Sequence, residues 1–276
     1  MSWLSIAAVA IIRNASMRPP LPRSRGIVYA GAAAATAGAA WVSRKRQKQD
    51  ALMTCRLESV TELTRDTARY RFATPRPLHS TPMAHVLAVD DGNILRPYTP
   101  VAESATGFEI VVRRYPGGYF SDKFAQLKVG GAMVFKGPEP TLPYAPNTFE
   151  CVAFVCGGTG AAPAVQLLRA ALADATDTTR FKVLYLSRTA RDQTLRRDLD
   201  ALKCDRLELC YACDDVDGLV DAAMLKGFLP ASAATKTAVL VSGPPGMVTR
   251  LCGADKRAPG GLLRDLGYLS QIARLD

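Results

Sequence analysis

Phe149-Glu-Cys-Val-Ala-Phe-Val-Cys156, followed without a break by Gly157-Gly-Thr-Gly160, decides the fold of this chain. A run so nearly continuous in apolar side chains predicts a parallel strand covered on both faces, because a half-exposed strand would alternate. The glycines end that strand. Pro163 to Ala173 then reads as a helix with proline in its first turn, where a missing N–H costs nothing. Downstream the pattern repeats. Phe181–Leu186, Arg206–Tyr211 and Thr237–Val241 read as strands, while Thr194–Leu202 and Asp221–Leu229 read as helices between them. Alternating strands and helices predict an α/β doubly wound parallel sheet. Such sheets bind ligands at the carboxyl ends of their strands. Gly157–Gly160 and Ser242-Gly-Pro-Pro-Gly246 both fall there.

Upstream the period changes. Arg69-Tyr-Arg-Phe72 alternates, as a strand with one buried face does. His85–Val89 ends at the turn signal Asp90-Asp-Gly-Asn93, Phe108–Tyr115 reads as a longer strand, and Met133–Phe135 follows Gly130-Gly131. Short strands at this spacing predict a small antiparallel β-barrel. Ser121–Leu127 is its one predicted helix, with Ser121 as N-cap.

Charge is distributed unevenly. The 276 residues carry a net charge of +10, yet residues 1–49 hold eight basic side chains and no acid. The remaining 27 basic residues nearly balance 25 acidic ones, and a nearly neutral globular part argues against nucleic-acid binding, which needs net positive charge on the folded face. Two histidines cannot build a histidine-rich metal site, and no metal is expected. Cys210-Tyr-Ala-Cys213 has no second pair at zinc-ribbon spacing, so it reads as strand residues among reduced thiols. Residues 26–43 are uncharged and rich in Ala and Gly. As a helix, eighteen residues reach ~27 Å, just enough for a ~30 Å hydrocarbon core. An arginine-bearing, acid-free leader before such a run predicts targeting to, and anchoring in, a mitochondrial membrane (outer membrane or facing the intermembrane space), with the endoplasmic reticulum membrane as the alternative. The expected divisions are therefore 1–50 (targeting and anchor), 51–147 (barrel) and 148–276 (α/β).

Four motifs carry the chemistry. Arg96-Pro-Tyr-Thr-Pro100 offers a guanidinium, an aromatic face and a hydroxyl, although alone it reads as a turn. Pro116-Gly-Gly-Tyr-Phe-Ser121 lets backbone approach a phosphate closely before a helix. Gly157-Gly-Thr-Gly160 is not the G-x-G-x-x-G dinucleotide fingerprint, but it stands between strand and helix as a nucleotide loop would. Gly243–Met247 closes a later strand.

In this order the motifs resemble the flavin and pyridine-nucleotide signatures of the NADH–cytochrome b5 reductases, within the ferredoxin–NADP reductase-like superfamily. The likeness extends over roughly 52–275. Gly253–Lys256 and Gly261-Leu-Leu-Arg-Asp-Leu-Gly-Tyr268 are most similar to the mitochondrial branch. The resemblance implies FAD seated on Arg96-Pro97-Tyr98-Thr99. Arg96 would lie on the pyrophosphate, Tyr98 against the isoalloxazine, and Thr99 near its N5. Val111, Arg113 and Tyr115 would line the flavin, and Gly117, Gly118, Tyr119, Phe120 and Ser121 would wrap its pyrophosphate. It also implies NADH at Gly157, Gly158, Thr159, Gly160 and Pro163, completed by Gly243, Pro244, Pro245 and Met247. Ser242 stands beside the nicotinamide where the family usually has cysteine. Ala162 and Leu275 are further departures, at positions of a threonine and a terminal aromatic. Ser187, Arg188 and Arg191 could accept the 2′-phosphate of NADPH, whereas Asp214 and Asp215 would repel it. NADH is the expected donor and cytochrome b5, or a similar haem protein, the expected acceptor of a monomeric enzyme. A reductase for a quinone or another haem protein, and a non-catalytic nucleotide-binding derivative, stay open as alternatives.

Overall fold

The computed structural model describes residues 52–275, apart from 91, 93, 233–235, 256–259 and 269–271. The expected anchor at 26–43 lies outside the described residues. Among those described, no helix is long and apolar enough to cross a membrane.

The strands are β1 (Met53–Thr64), β2 (Thr67–Ala73), β3 (Ala84–Val89), β4 (Leu95–Tyr98), β5 (Ala102–Ser104), β6 (Gly107–Arg113), β7 (Ala132–Pro140), β8 (Cys151–Gly157), β9 (Arg180–Ser187), β10 (Leu207–Cys213), β11 (Thr237–Ser242) and β12 (Ile272–Arg274). The helices are α1 (Tyr119–Gln126), α2 (Ala162–Ala173), α3 (Arg196–Asp200), α4 (Asp214–Asp217), α5 (Ala222–Phe228), α6 (Pro245–Cys252) and α7 (Gly261–Asp265).

The first seven strands form one antiparallel sheet in the order β4-β3-β7-β1-β2-β6-β5. Its two edges are consecutive in the chain, joined only by residues 99–101. Laid flat, seven strands would hold those edges roughly 29 Å apart. Four Cα steps span at most about 14 Å, so the sheet must roll, as the barrel expectation requires. Its interior is aromatic. Phe72, Phe108 and Phe135 pack with centroids 5.0–5.7 Å apart, and Phe124 of α1 closes the cluster against Tyr70 at 5.2 Å.

The last five strands form a parallel sheet in the order β10-β9-β8-β11-β12. The apolar run from Phe149 to Cys156 divides by parity. Val152, Phe154 and Cys156 enter one core cluster, Ala153 and Val155 the other. β9 and β11 divide in the same way, so both faces are covered. β8 lies between β9 and β11, and the strand order reverses there, which opens a crevice at the carboxyl ends.

Some local expectations change. Arg96–Pro100 is not simply a turn, since Leu95–Tyr98 pairs with β3 as an edge strand. Pro97 fits because an edge strand can leave one side without ladder donors. Gly118, not Ser121, is the N-cap of α1. The helix read over Thr194–Leu202 is only Arg196–Asp200, preceded by a 3-10 turn at Ala190–Asp192 with a Thr189/Asp192 capping box.

Candidate active site

Two groups of residues make up the site. The first lies where β4, the end of β6 and the start of α1 converge. Period-two geometry puts Arg96 and Tyr98 on one face of β4. Arg96 is exposed and donates to its neighbour's carbonyl, Leu95 O, at 2.9 Å. Tyr98 is half-buried with its ring edge-on to Phe124 at 5.1 Å, and burial pushes its phenol up to about 12. Thr99 follows, half-buried. On β6, Val111 is buried, while Arg113 is held by Asp66 at 2.8 Å and lies 5.7 Å over the Tyr115 ring. Tyr115 itself is about half exposed.

Gly117 has φ +72, and a Cβ there would meet no atom within 4 Å. Its conformation demands glycine, and its surroundings are open on the side where a ligand could approach. At Gly118, by contrast, a Cβ would lie 2.5 Å from Ser121 Oγ. Ser121 is a staple, not a cap. Its hydroxyl accepts from Tyr115 N–H at 3.1 Å and reaches the carbonyls of Gly118 and Tyr115 at 2.9 and 3.1 Å. Phe120 is buried, whereas Tyr119 is half exposed and donates its hydroxyl to Asp90. Asp90 also accepts Ile94 N–H at 2.7 Å, and Lys123 Nζ stands 3.7 Å from its carboxylate.

The second group lies at the carboxyl ends of the parallel strands. Gly158, at φ +56, opens a 3-10 turn (Gly158–Ala161) that leads into α2, and Pro163 sits in that helix's first turn. A Cβ on Gly157 would press Met247 Sδ at 2.9 Å, and one on Gly160 would lie 2.5 Å from Ser242 O. The glycines therefore let the loop after β8 pack directly on the Ser242–Met247 loop. Pro244 and Pro245 are exposed at the start of α6. Ser242 is buried, and its hydroxyl donates to Leu275 O at 3.5 Å. It thus tethers the chain end beside β11. Asp214 is exposed, and Asp215 N–H donates to Arg188 O at 3.1 Å. The Arg188 and Asp214–Asp215 segments therefore share one corner of the sheet.

The groups meet at Val111, which shares a core cluster with Ala161 and Ala162 beside the glycine loop. Ala84 N–H donates to Gln166 Oε1 of α2 at 2.9 Å, a further tie between the halves.

Comparison with known proteins follows this division. Residues 54–144 match the oxidoreductase FAD-binding domain family and residues 154–253 the oxidoreductase NAD-binding domain family. NADH-cytochrome b5 reductase 2 of Candida glabrata is 32% identical over 283 residues, covering 90% of this chain and 95% of that protein. The chain belongs to the NADH–cytochrome b5 reductase family. NADH-cytochrome b5 reductase 2 of Coccidioides immitis is 28% identical over 306 residues, covering 95% and 94%. The fold is that of the cytochrome b5 reductase domain of Ulva prolifera nitrate reductase, with a TM-score of 0.71 at 23% identity, covering 82% of this chain and 97% of that one.

Within this family frame, two residues of the site had no role in the sequence reading. Asp90 was visible only as part of a turn, and its partner Tyr119 lies 29 positions away. Tyr185, read simply as an aromatic in a strand, places its hydroxyl 2.9 Å from Gly158 O. No local pattern announces either contact.

Proposed function

We propose that this chain is an FAD-dependent reductase that takes hydride from NADH and passes single electrons to cytochrome b5 or a similar haem protein. The observation that carries this reading is the junction at Val111, where the Arg96–Ser121 elements meet the glycine loop of the parallel sheet in a chain of this family. The residues present fit the two groups. Arg96 presents an exposed guanidinium to a pyrophosphate, and Gly117 leaves open space where backbone N–H groups can approach one. Tyr98, backed by Phe124, offers a ring face, and Thr99 a hydroxyl beside it. Val111, Arg113, Tyr115 and Gly118–Ser121 would complete the hold on FAD. Gly157–Gly160, Pro163 and Gly243–Met247 would hold the nicotinamide nucleotide. Bound FAD supplies a ring able to accept two electrons as hydride and release them singly, which no side chain here can do.

The protein's own contribution is position and charge. Exposed Asp214 and Asp215 on α4 oppose a 2′-phosphate next to Arg188, which supports NADH over NADPH. Ser242, tied to Leu275 O, keeps the chain end against β11. We further place residues 1–50, 51–147 and 148–276 as leader, flavin domain and nucleotide domain, in a monomer anchored through 26–43 in a mitochondrial membrane. The acid-free basic leader supports that placement.

The test is anaerobic titration of the full-length protein with NADH, then NADPH, following the flavin band, with cytochrome b5 added last. The expected protein is yellow, bleaches with one equivalent of NADH at concentrations at least about tenfold below those needed for NADPH, and recovers its colour with cytochrome b5. A colourless protein that takes up no added FAD would overturn the reading.

A further inference from the structure

We propose that Tyr185 is a positioning residue for the nicotinamide nucleotide: its hydroxyl locks the Gly158 peptide so that the Thr159 N–H faces the open side of the loop. The inference rests on the reading that the loop after β8 receives NADH.

Tyr185 lies in the middle of β9, paired with Cys156 of β8 and Tyr211 of β10, and its side chain is fully buried. The residues on the same face of the strand, Phe181 and Val183, are apolar members of the same core cluster. A phenylalanine would fill this place without bringing a polar atom inside. The hydroxyl is nevertheless well used. It donates to Gly158 O at 2.9 Å and accepts from Leu195 N–H at 3.4 Å, immediately before α3. One phenol therefore ties the loop after β8 to the segment after β9. Burial pushes its pKa up to about 12, so it remains a donor throughout the physiological range.

The consequence follows from peptide geometry. In a planar trans peptide the C=O and the next N–H point in opposite directions. Fixing Gly158 O inward, against β9, turns Thr159 N–H outward. The loop is also uncrowded at Gly158 itself, where a Cβ would meet no atom within 4 Å. The N–H groups at the start of a helical turn have no partner inside it, so Thr159 N–H is free of intrahelical bonding. Glycine is also the residue best able to rotate away from φ +56, because it pays little for other conformations. Without the phenol, the Gly158–Thr159 peptide loses the one side-chain contact that selects its orientation among the described residues.

The experiment is Tyr185→Phe in the full-length flavoprotein. The Kd for NAD+ by calorimetry and the KM for NADH are expected to rise about tenfold, equivalent to ~1.4 kcal/mol. Flavin content and kcat are expected to stay within about twofold of the parent, as loss of uniform binding predicts. Val183→Ala, on the same strand face, serves as the control: it should lower the melting temperature while leaving KM and Kd unchanged. Unaltered KM and Kd in Tyr185→Phe, or an equal rise in Val183→Ala, would overturn the proposal. A parent protein that is yellow but binds no NAD+ would remove the nucleotide reading and this inference with it. The parent's own titration tells that failure from the first.

Discussion

Tyr119 starts α1 half exposed, yet its hydroxyl is spent on a carboxylate that solvent hardly reaches. That hydrogen bond, chief among several contacts, holds Asp90 below its ordinary value of 3.8. A carboxylate with a depressed folded pKa contributes stability that is fully present above its unfolded value of about 3.9 and is lost as pH falls through the folded value. Asp90→Asn is therefore expected to lower the urea midpoint equally at pH 7 and pH 5. The gap to the parent should narrow as pH falls below about 3.9, where the unfolded chain's carboxyl takes up its proton before the folded one does. A gap that stayed constant down to pH 3 would mean the charge of Asp90 is not what Tyr119 and Lys123 hold. At this scale the sequence was informative about glycines and silent about pairs. Gly117 and Gly158 are legible because only a residue without Cβ takes their positive φ cheaply. The Asp90–Tyr119 contact depends on the rolled sheet bringing the β3 end to the α1 start, and no local pattern encodes that.

Helix α1 depends on one ring. Phe124 is fully buried, 5.2 Å from Tyr70, 6.2 Å from Phe72 and 5.1 Å from Tyr98. It fastens the helix to the sheet and also backs the aromatic side chain of β4. Phe124→Ala should cost about 3–5 kcal/mol of stability, as large core truncations do. It should also release Tyr98, so that flavin is lost on gel filtration while NAD+ binding persists. Denaturant titration checks the first effect and the absorbance ratio of the eluted protein the second. Full flavin retention would show that Tyr98 needs no support from α1. The legibility of elements follows the same physics. β8, β9 and β11 were readable because both of their faces are covered and their apolar runs are unbroken. β1 is hard to read from sequence, although its buried positions Met53, Cys55 and Leu57 alternate. That alternation covers only the first five positions, and beyond Leu57 no residue of the strand is fully buried. β4 was obscured by Pro97, which is acceptable only because β4 turned out to be an edge.

For the whole molecule, the question is what holds the rolled sheet and the parallel sheet in register. Asp198 of α3, with only 7% of its side chain exposed, accepts Arg69 from β2 at 2.5 Å and Arg169 from α2 at 3.0 Å. One arginine comes from each half, so the carboxylate is the centre of a clasp across the junction. Arg69 also pairs with Glu109 at 3.3 Å, and its Nε is buried without a hydrogen-bond partner, a cost borne at this position. Removing either arginine weakens the compensation of a buried charge, but only Arg69 carries the tie between the halves. If the clasp sets their orientation, the two variants must differ in rate and not merely in stability. Arg69→Gln is expected to slow flavin reduction at saturating NADH by about tenfold, because small misplacements of reacting groups are costly. Flavin content and NAD+ affinity should be retained, since each is set within one half. Arg169→Gln, whose loss stays inside the nucleotide half, should leave that rate within about twofold. Stopped-flow reduction of both variants decides the matter: equal slowing would reduce the triad to a stabilising ion cluster, and unequal slowing would assign the alignment of the halves to Arg69.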